Sequence, residues 1–413
     1  MEKMSHRLFE LTRLPKEELA ERGIEYTPRE IESQPKVWIK NFEMLKSRED
    51  EIRSFVESRI FSKKMPSIIL SGAGSSGFVG VSVESLLRKR WQVNAESRHS
   101  TDIVTNWDSI FLRDADTTLV SFARSGNSPE SIGAFVLANR FCRNISHIIV
   151  TCNRAGRLAV MKNEDDEVLL LLLSEEANDK GLAMTASFTT MLMTAQFLAF
   201  LDDSERYEPI IRDLSKATEK LFKEYSGLIN EVSKLDFERA FFLGNGALYG
   251  CAAESHLKLQ ELTAGQVISK YDSFLGLRHG PEAAIDDRTL VVYFVSTDPF
   301  VRRYELDLMK DLHAKGLGMR KMAVCSKSNE EMVGYVDHTI EFDRDDQFDI
   351  PDLCRPVMDV TVGQMFGLFK SLDLNMKPDN PSERGIISRV VKGVKVYDYK
   401  KYGDGKRFEV LAE

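Results

Sequence analysis

The chain has 413 residues, of which 43% are hydrophobic and 29% charged, and it carries a formal net charge of −8. That length accommodates two or three domains with more than one buried core, and the acidic balance argues against nucleic acid or an anionic membrane as the main partner. The first 23 residues mix acids and bases with no apolar stretch, and the longest apolar run, VLLLLL at 168–173, is far too short to cross a bilayer, so neither a secretory signal nor a membrane span is expected. Five cysteines without a CxxC pair fit reduced thiols in a cytoplasmic protein.

Residues 1–60 read as a helical segment, with apolar positions at helical spacing and Pro35 forcing a break between a short helix and a longer one. From Ser67 the pattern changes. SIIL, WQVNAE, TTLVSF, SHIIVTC and EVLLLLL are short apolar or β-branched runs separated by helix-like stretches, which is the signature of an α/β unit with a largely parallel sheet. ASFTTMLMTAQFLAFLDD (186–203) reads as a buried helix, and 204–238 as a polar amphipathic connector. The alternation then resumes with AFFLGNG, TLVVYFVS, KMAVCS and HTIEF. Boundaries follow at 61–225 for a first α/β domain, 226–376 for a second and 377–413 for a tail.

The halves share a frame. SIILSGAGSSG and AFFLGNGALYG both run from apolar strand through a G-x-G turn into a helix, at the edge where α/β folds bind ligands. Only the first half follows its next strand with a serine loop, SFARSGNSPES (121–131). Ser128 is a good N-cap, Pro129 suits the first helical position and Gly126 permits close backbone approach. With Ser125, and with Ser75 and Ser76 at the neighbouring helix start, this makes a phosphate site. The G-x-G-x-x-G spacing of GAGSSG also fits a dinucleotide fingerprint, but that reading leaves the serine loop unexplained.

These motifs resemble a known family. SGAGSSG, SFARSGNSPES and GLAMTASFTT look like the phosphosugar signature of SIS (sugar isomerase) domains, and AAESHLKLQELTAG, LGLRHGP and the early REIESQP resemble the isomerase half of glucosamine-6-phosphate synthase. The serine loop together with DNPSERGIISRVVKGVKVY is closer still to AgaS-type proteins, tandem SIS proteins described as galactosamine-6-phosphate deaminase/isomerases or tagatose-6-phosphate ketose/aldose isomerases. The resemblance implies two tandem SIS domains, each a parallel sheet flanked by helices in three αβα layers, behind an N-terminal helical segment. It extends over about 27–400 and lacks the synthase's glutaminase part, so ammonia is not expected to be drawn from glutamine.

Glu254, Lys258 and Glu261 share one helix face, a spacing most often met as a surface charge ladder. By family position Glu261 is the base that moves a proton between C1 and C2, Lys258 lies near the sugar hydroxyls and tunes it, and Glu254 is at least a support. His279 matches the ring-opening histidine, contributed in the synthases by a neighbouring subunit, which implies a homodimer or higher homo-oligomer. Lys392 matches the imine-forming lysine, with Lys395 close enough to compete for the assignment. Where the synthases carry further polar phosphate ligands, this loop has Ala123 and Arg124, and Arg124 either contacts the phosphate or pairs with a nearby carboxylate. No metal-ligand spacing occurs among the histidines and no cofactor is expected. The implied reaction converts galactosamine 6-phosphate to tagatose 6-phosphate and ammonia; the alternatives are ammonia-independent isomerisation, the glucosamine 6-phosphate equivalent, or a non-catalytic phosphosugar sensor.

Overall fold

The computed structural model describes residues 6–161, 167–382, 384–391 and 393–397. Ten strands form two five-stranded, all-parallel sheets. The first holds β1 (Pro66–Ser71), β2 (Asn94–Ser97), β3 (Asp116–Ala123), β4 (Asn144–Thr151) and β5 (Val168–Leu172) in the order β2-β1-β3-β4-β5. The second holds β6 (Arg239–Leu243), β7 (Ile268–Asp272), β8 (Thr289–Phe294), β9 (Arg320–Cys325) and β10 (His338–Glu341) in the order β10-β9-β8-β6-β7. Read from the other edge, that is the same order as the first sheet. The central strands are apolar on both faces because helices cover both, and β8 is buried along its whole length.

The principal helices are α1 (Gln34–Lys46), α2 (Ser75–Trp91), α3 (Pro129–Phe141), α4 (Ala186–Ala199), α5 (Ser204–Ser233), α6 (Ala247–Leu262), α7 (Pro299–Ala314) and α8 (Pro356–Asp373). Pro35 lies in the first turn of α1, where its missing N–H costs nothing, and the break it was expected to make falls at Ser33. Every residue of α4 is buried, and Ser187, Thr189, Thr194 and Gln196 on it are hydrogen-bonded inside the protein. The stretch expected to be a connector is more than that. Along α5, Tyr207, Leu214, Leu221, Phe222 and Ile229 are buried, and the helix packs against both α1 and α8.

One hydrophobic core runs from the N-terminal helices through both sheets to α8. Its centre is a close crossing of α2, α6 and α8. A Cβ added at Gly250 would lie 2.3 Å from Ser82 Oγ, and one at Gly363 would lie 2.4 Å from Ser255 Oγ. Glycine is what lets these backbones approach, and the approach fixes α6 between the halves. All five cysteines are free thiols, and among the described residues no helix is long and apolar enough to cross a membrane.

Candidate active site

In a 2-1-3-4-5 sheet the strand order reverses between the first and third strands, and the crevice at their carboxyl ends is where ligands bind. The two serine-bearing turns flank that crevice. After β1 the chain passes through Gly74, at φ +57°, into Ser75 and Ser76, both buried at the start of α2. After β3 it enters the 124–128 loop. There Ser128 caps α3 as its position predicts, accepting from Ser131 N at 3.3 Å and bonding Ser131 Oγ at 2.8 Å, with Pro129 in the first turn. Ser125 Oγ accepts from Asn127 N at 3.2 Å, and Gly126 takes φ +64°, so the loop folds tightly on itself. Residues after β4 brace it: Asn153 Nδ2 donates to Ser125 O at 2.8 Å and Arg157 N to Asn127 Oδ1 at 3.0 Å.

The second half brings its charged helix to the same place. Lys258 is fully buried, and its Nζ donates to Ser75 Oγ at 2.9 Å and to Glu261 Oε2 at 2.5 Å, with Glu254 Oε1 at 3.3 Å. The surface-ladder reading of this spacing therefore fails for Lys258 and Glu254, neither of which has any exposed side chain, whereas Glu261 keeps 25% exposure and is the carboxylate a ligand can reach. Burial drives Glu254 up to about 8. Burial also opposes the Lys258 charge, but Glu254 and Glu261 outweigh it and hold the ammonium above the usual lysine value. The arrangement is a buried cation that ties a hydroxyl of the first half to two carboxyl groups of the second.

The other expected residues lie elsewhere. His279 sits exposed just past the short helix Phe274–Leu277, and no hydrogen bond, ion pair or ring contact joins it to the Glu254–Lys258–Glu261 set. Lys392 lies outside the described residues, and Lys395 is exposed. Arg124 is buried, and its guanidinium donates to the carbonyls of Gly181 (3.4 Å), Leu182 (3.2 Å) and Arg389 (2.8 Å).

Sequence reasoning missed what surrounds these groups. Asp179 is fully buried and caps α4, accepting from Thr185 N, Ala186 N and Ser187 N at 2.9 Å each, and from the hydroxyls of Thr185 and Ser187. Glu30, inside the REIESQP stretch, accepts from Lys180 N at 2.5 Å and Gly181 N at 3.3 Å, and burial followed by the Asp179 charge raises its carboxyl to about 8. Asp379 holds Thr27 through N and Oγ1 at 2.7 Å each. Glu30 and Asp379 lie within family motifs and Asp179 just before one, and nothing further in the sequence marked the three.

The SIS domain model matches residues 60–201, the first half. D-galactosamine-6-phosphate deaminase AgaS of Escherichia coli O157:H7 is 35% identical over 384 residues, covering 91% of this chain and 96% of that protein. The crystal structure of tagatose-6-phosphate ketose/aldose isomerase from Escherichia coli superposes with a TM-score of 0.82 at 33% identity, covering 91% and 96% of the two chains. A solved chain from Clostridium novyi superposes with a TM-score of 0.89 at 38% identity, covering 93% and 98%.

Proposed function

The chain belongs to the AgaS family, and from that premise we propose that it is a cytoplasmic sugar-phosphate isomerase that also deaminates, taking galactosamine 6-phosphate and water to tagatose 6-phosphate and ammonia. The observation that carries this reading is Lys258, which joins the hydroxyl-rich start of α2 to the carboxylates of α6. The 6-phosphate sits at the crevice between β1 and β3, on Ser75, Ser76, Ser125 and Ser128, at the two helix N-termini. The sugar carbons then reach α6. Glu261 takes the proton from C2 and returns it to C1, turning the open-chain amino aldose into a 2-imino ketose. Water adds to C2, the C–N bond breaks with proton transfer to nitrogen, and ammonia leaves as the C2 carbonyl forms. Lys258 stabilises the negative charge that develops on the sugar oxygens during the proton shift.

His279 opens the pyranose ring by moving a proton between the anomeric hydroxyl and the ring oxygen, acting in the site of a second copy of the chain, which makes the enzyme a homo-oligomer. Lys392 or Lys395 reaches the substrate from the C-terminal segment. The deciding experiment incubates the purified protein with galactosamine 6-phosphate and with glucosamine 6-phosphate and follows ammonia and ketose phosphate together. Equal amounts of both products from the galacto substrate are expected. Ketose formation without ammonia from an unaminated sugar phosphate, with no deamination of either amine, would replace the reading by plain isomerisation. Binding without turnover would replace it by a sensor.

A further inference from the structure

Arg124 stands immediately before Ser125, at the point where β3 becomes the serine loop, and is only 7% exposed. Among the described residues it has no ion-pair partner; its acceptors are three backbone carbonyls drawn from two other parts of the chain. Two of them, Gly181 and Leu182, belong to the strap that leads into α4. The third, Arg389, belongs to the C-terminal segment. Arg389 in turn donates through Nε to Asp179 O at 2.9 Å and through Nη2 to Asn178 Oδ1 at 2.9 Å. Glu30 holds the strap amides from the N-terminal side, and Leu182 N donates to Asp379 O at 3.0 Å. The strap is thus the place where loop, N-terminal helices and C-terminal segment are fastened together, and among the described residues Arg124 is the side chain of the loop that reaches strap and C-terminal segment at once.

We propose that Arg124 is a positioning residue: it ties the C-terminal segment to the serine loop, so that filling the loop with phosphate and seating residues 384–391 are coupled events. A planar guanidinium with five donors in a rigid fork can span carbonyls on two segments; an ammonium, a point charge, cannot hold both in the same geometry. Phosphate drawn onto the Ser125–Ser128 turn stiffens the backbone from which Arg124 projects, and that order passes to Arg389 O. Coupling of this kind is reciprocal, so seating the segment must tighten phosphate binding by the same factor. Lys392 follows Arg389 by three residues, which makes the tie relevant to turnover.

This inference rests on the reading of the serine loop as the phosphate site, and the test keeps the two apart. Calorimetry with inorganic phosphate reads the site; hydrogen exchange of the 384–391 amides, followed by mass spectrometry with and without phosphate, reads the tie. In the wild-type protein phosphate should bind and slow that exchange. In Arg124→Gln the same amides should exchange about 10-fold faster or more, the loss expected for one charge-assisted hydrogen bond. Phosphate should no longer protect them, and kcat should fall about 10-fold while KM stays within about 3-fold. Arg124→Lys should not restore protection. Arg389→Ala keeps the carbonyl that Arg124 holds and removes only the segment's own bonds to Asp179 O and Asn178 Oδ1, so the 384–391 amides should exchange faster while phosphate still protects them through Arg124. Unchanged exchange in both single variants would overturn the tie. So would a large loss of phosphate affinity in Arg124→Gln with exchange of the free protein unaltered, which would make Arg124 a direct ligand. If wild type bound no phosphate, the reading of the loop itself would fall.

Discussion

At the end of β1 the chain turns through Gly72 and Gly74 into Ser75 and Ser76; at the end of β6 it turns through Gly244 and Gly246 into Ala247 and Leu248. The two backbones are nearly superposable in conformation, with Gly74 at φ 57°, ψ −129° and Gly246 at φ 56°, ψ −126°. A Cβ at Gly72 would lie 2.5 Å from Ser76 O, and one at Gly244 would lie 2.2 Å from Leu248 O, so each turn needs glycine at the same point for the same reason. The next strand separates them. Between Ala123 and Pro129 the first half has Arg124, Ser125, Gly126, Asn127 and Ser128; between Val295 and Pro299 the second has only Ser296, Thr297 and Asp298. In the first half the hydroxyls of Ser125 and Ser128 bond within their own loop and to Ser131, Ser75 accepts from Lys258, and among the described residues no carboxylate accepts from the loop. In the second the chain answers them itself. Asp352 Oδ2 accepts from Ser296 Oγ at 2.6 Å and Thr297 N at 2.7 Å, and Glu305 accepts from Ser296 N and from Asn245 Nδ2 at 2.9 Å each. Fully buried Arg355 then neutralises Asp352 and Asp359, each at 2.7 Å. A duplicated frame supplies two crevices; carboxylates close the second, and none accepts from the loop of the first, as the proposed phosphate site requires.

The largest effect that would break this division of labour is at Glu261. Glu261→Gln keeps the side-chain shape but cannot take a proton, so kcat should fall by about 10²–10⁴-fold with KM little changed. Solvent deuterium uptake at C1 or C2, read by NMR, checks the step directly; wild-type exchange in the variant would put the base elsewhere. On the other side of the comparison, Asp352→Ala leaves Ser296 Oγ and Thr297 N without their acceptor and Arg355 paired to Asp359 alone, a loss of about 1–3 kcal/mol. Thermal unfolding should show that loss, while KM of the folded enzyme stays the same because the second crevice does not bind substrate. The double variant Ser125→Ala/Ser128→Ala should do the reverse, raising KM by about 10–100-fold for two lost bonds to a charged group, with a smaller stability loss of about 1 kcal/mol from the α3 cap. A KM that moved with Asp352 and not with the serines would erase the contrast between the halves.

Much of the frame was legible because parallel strands covered on both faces must be continuous apolar runs, and TTLVSF, SHIIVTC and TLVVYFVS are such runs. β7, with the sequence ISKYD, was not, because an edge strand with alternating exposure carries no such run. The face formed by Glu254, Lys258 and Glu261 was readable from spacing, but its burial was not: that depends on how closely α2 and α8 approach α6 at Gly250 and Gly363, which a helical period does not encode. The sequence singles out Arg124 as a phosphate contact or a carboxylate's partner, but what the structure gives it, carbonyl acceptors and, among the described residues, no carboxylate, escaped for a related reason. Its acceptors are carbonyls of residues 57, 58 and 265 positions away, and a carbonyl leaves no trace in residue identity.

The smallest expected effect concerns pH. Glu30, which holds the first half's strap, is raised from the usual 4.5 to about 8 by burial first and by the neighbouring Asp179 and Asp379 charges after it, against the opposing bonds from Lys180 N and Gly181 N. The folded protein therefore binds a proton there that the unfolded chain releases near 4.5. The stability this contributes is fully present below about 4.5 and is lost as pH climbs toward 8. Glu254 is raised to about 8 and works in the same direction, so the two must be told apart. At the closed crevice burial raises Glu305 to about 7 and Asp359, which Arg355 opposes, only to about 6, so their contributions are spent at lower pH than that of Glu30. Wild-type melting temperature should thus fall between pH 6 and 8, and Glu30→Gln, which keeps the acceptor oxygen without the charge, should flatten part of that fall. Hydrogen exchange in the strap 178–182 should rise with pH over the same interval in wild type and not in Glu30→Gln. A pH dependence left untouched by Glu30→Gln would assign it to the buried carboxyls Glu254 and Glu305, and the strap would be held by its backbone bonds regardless of charge.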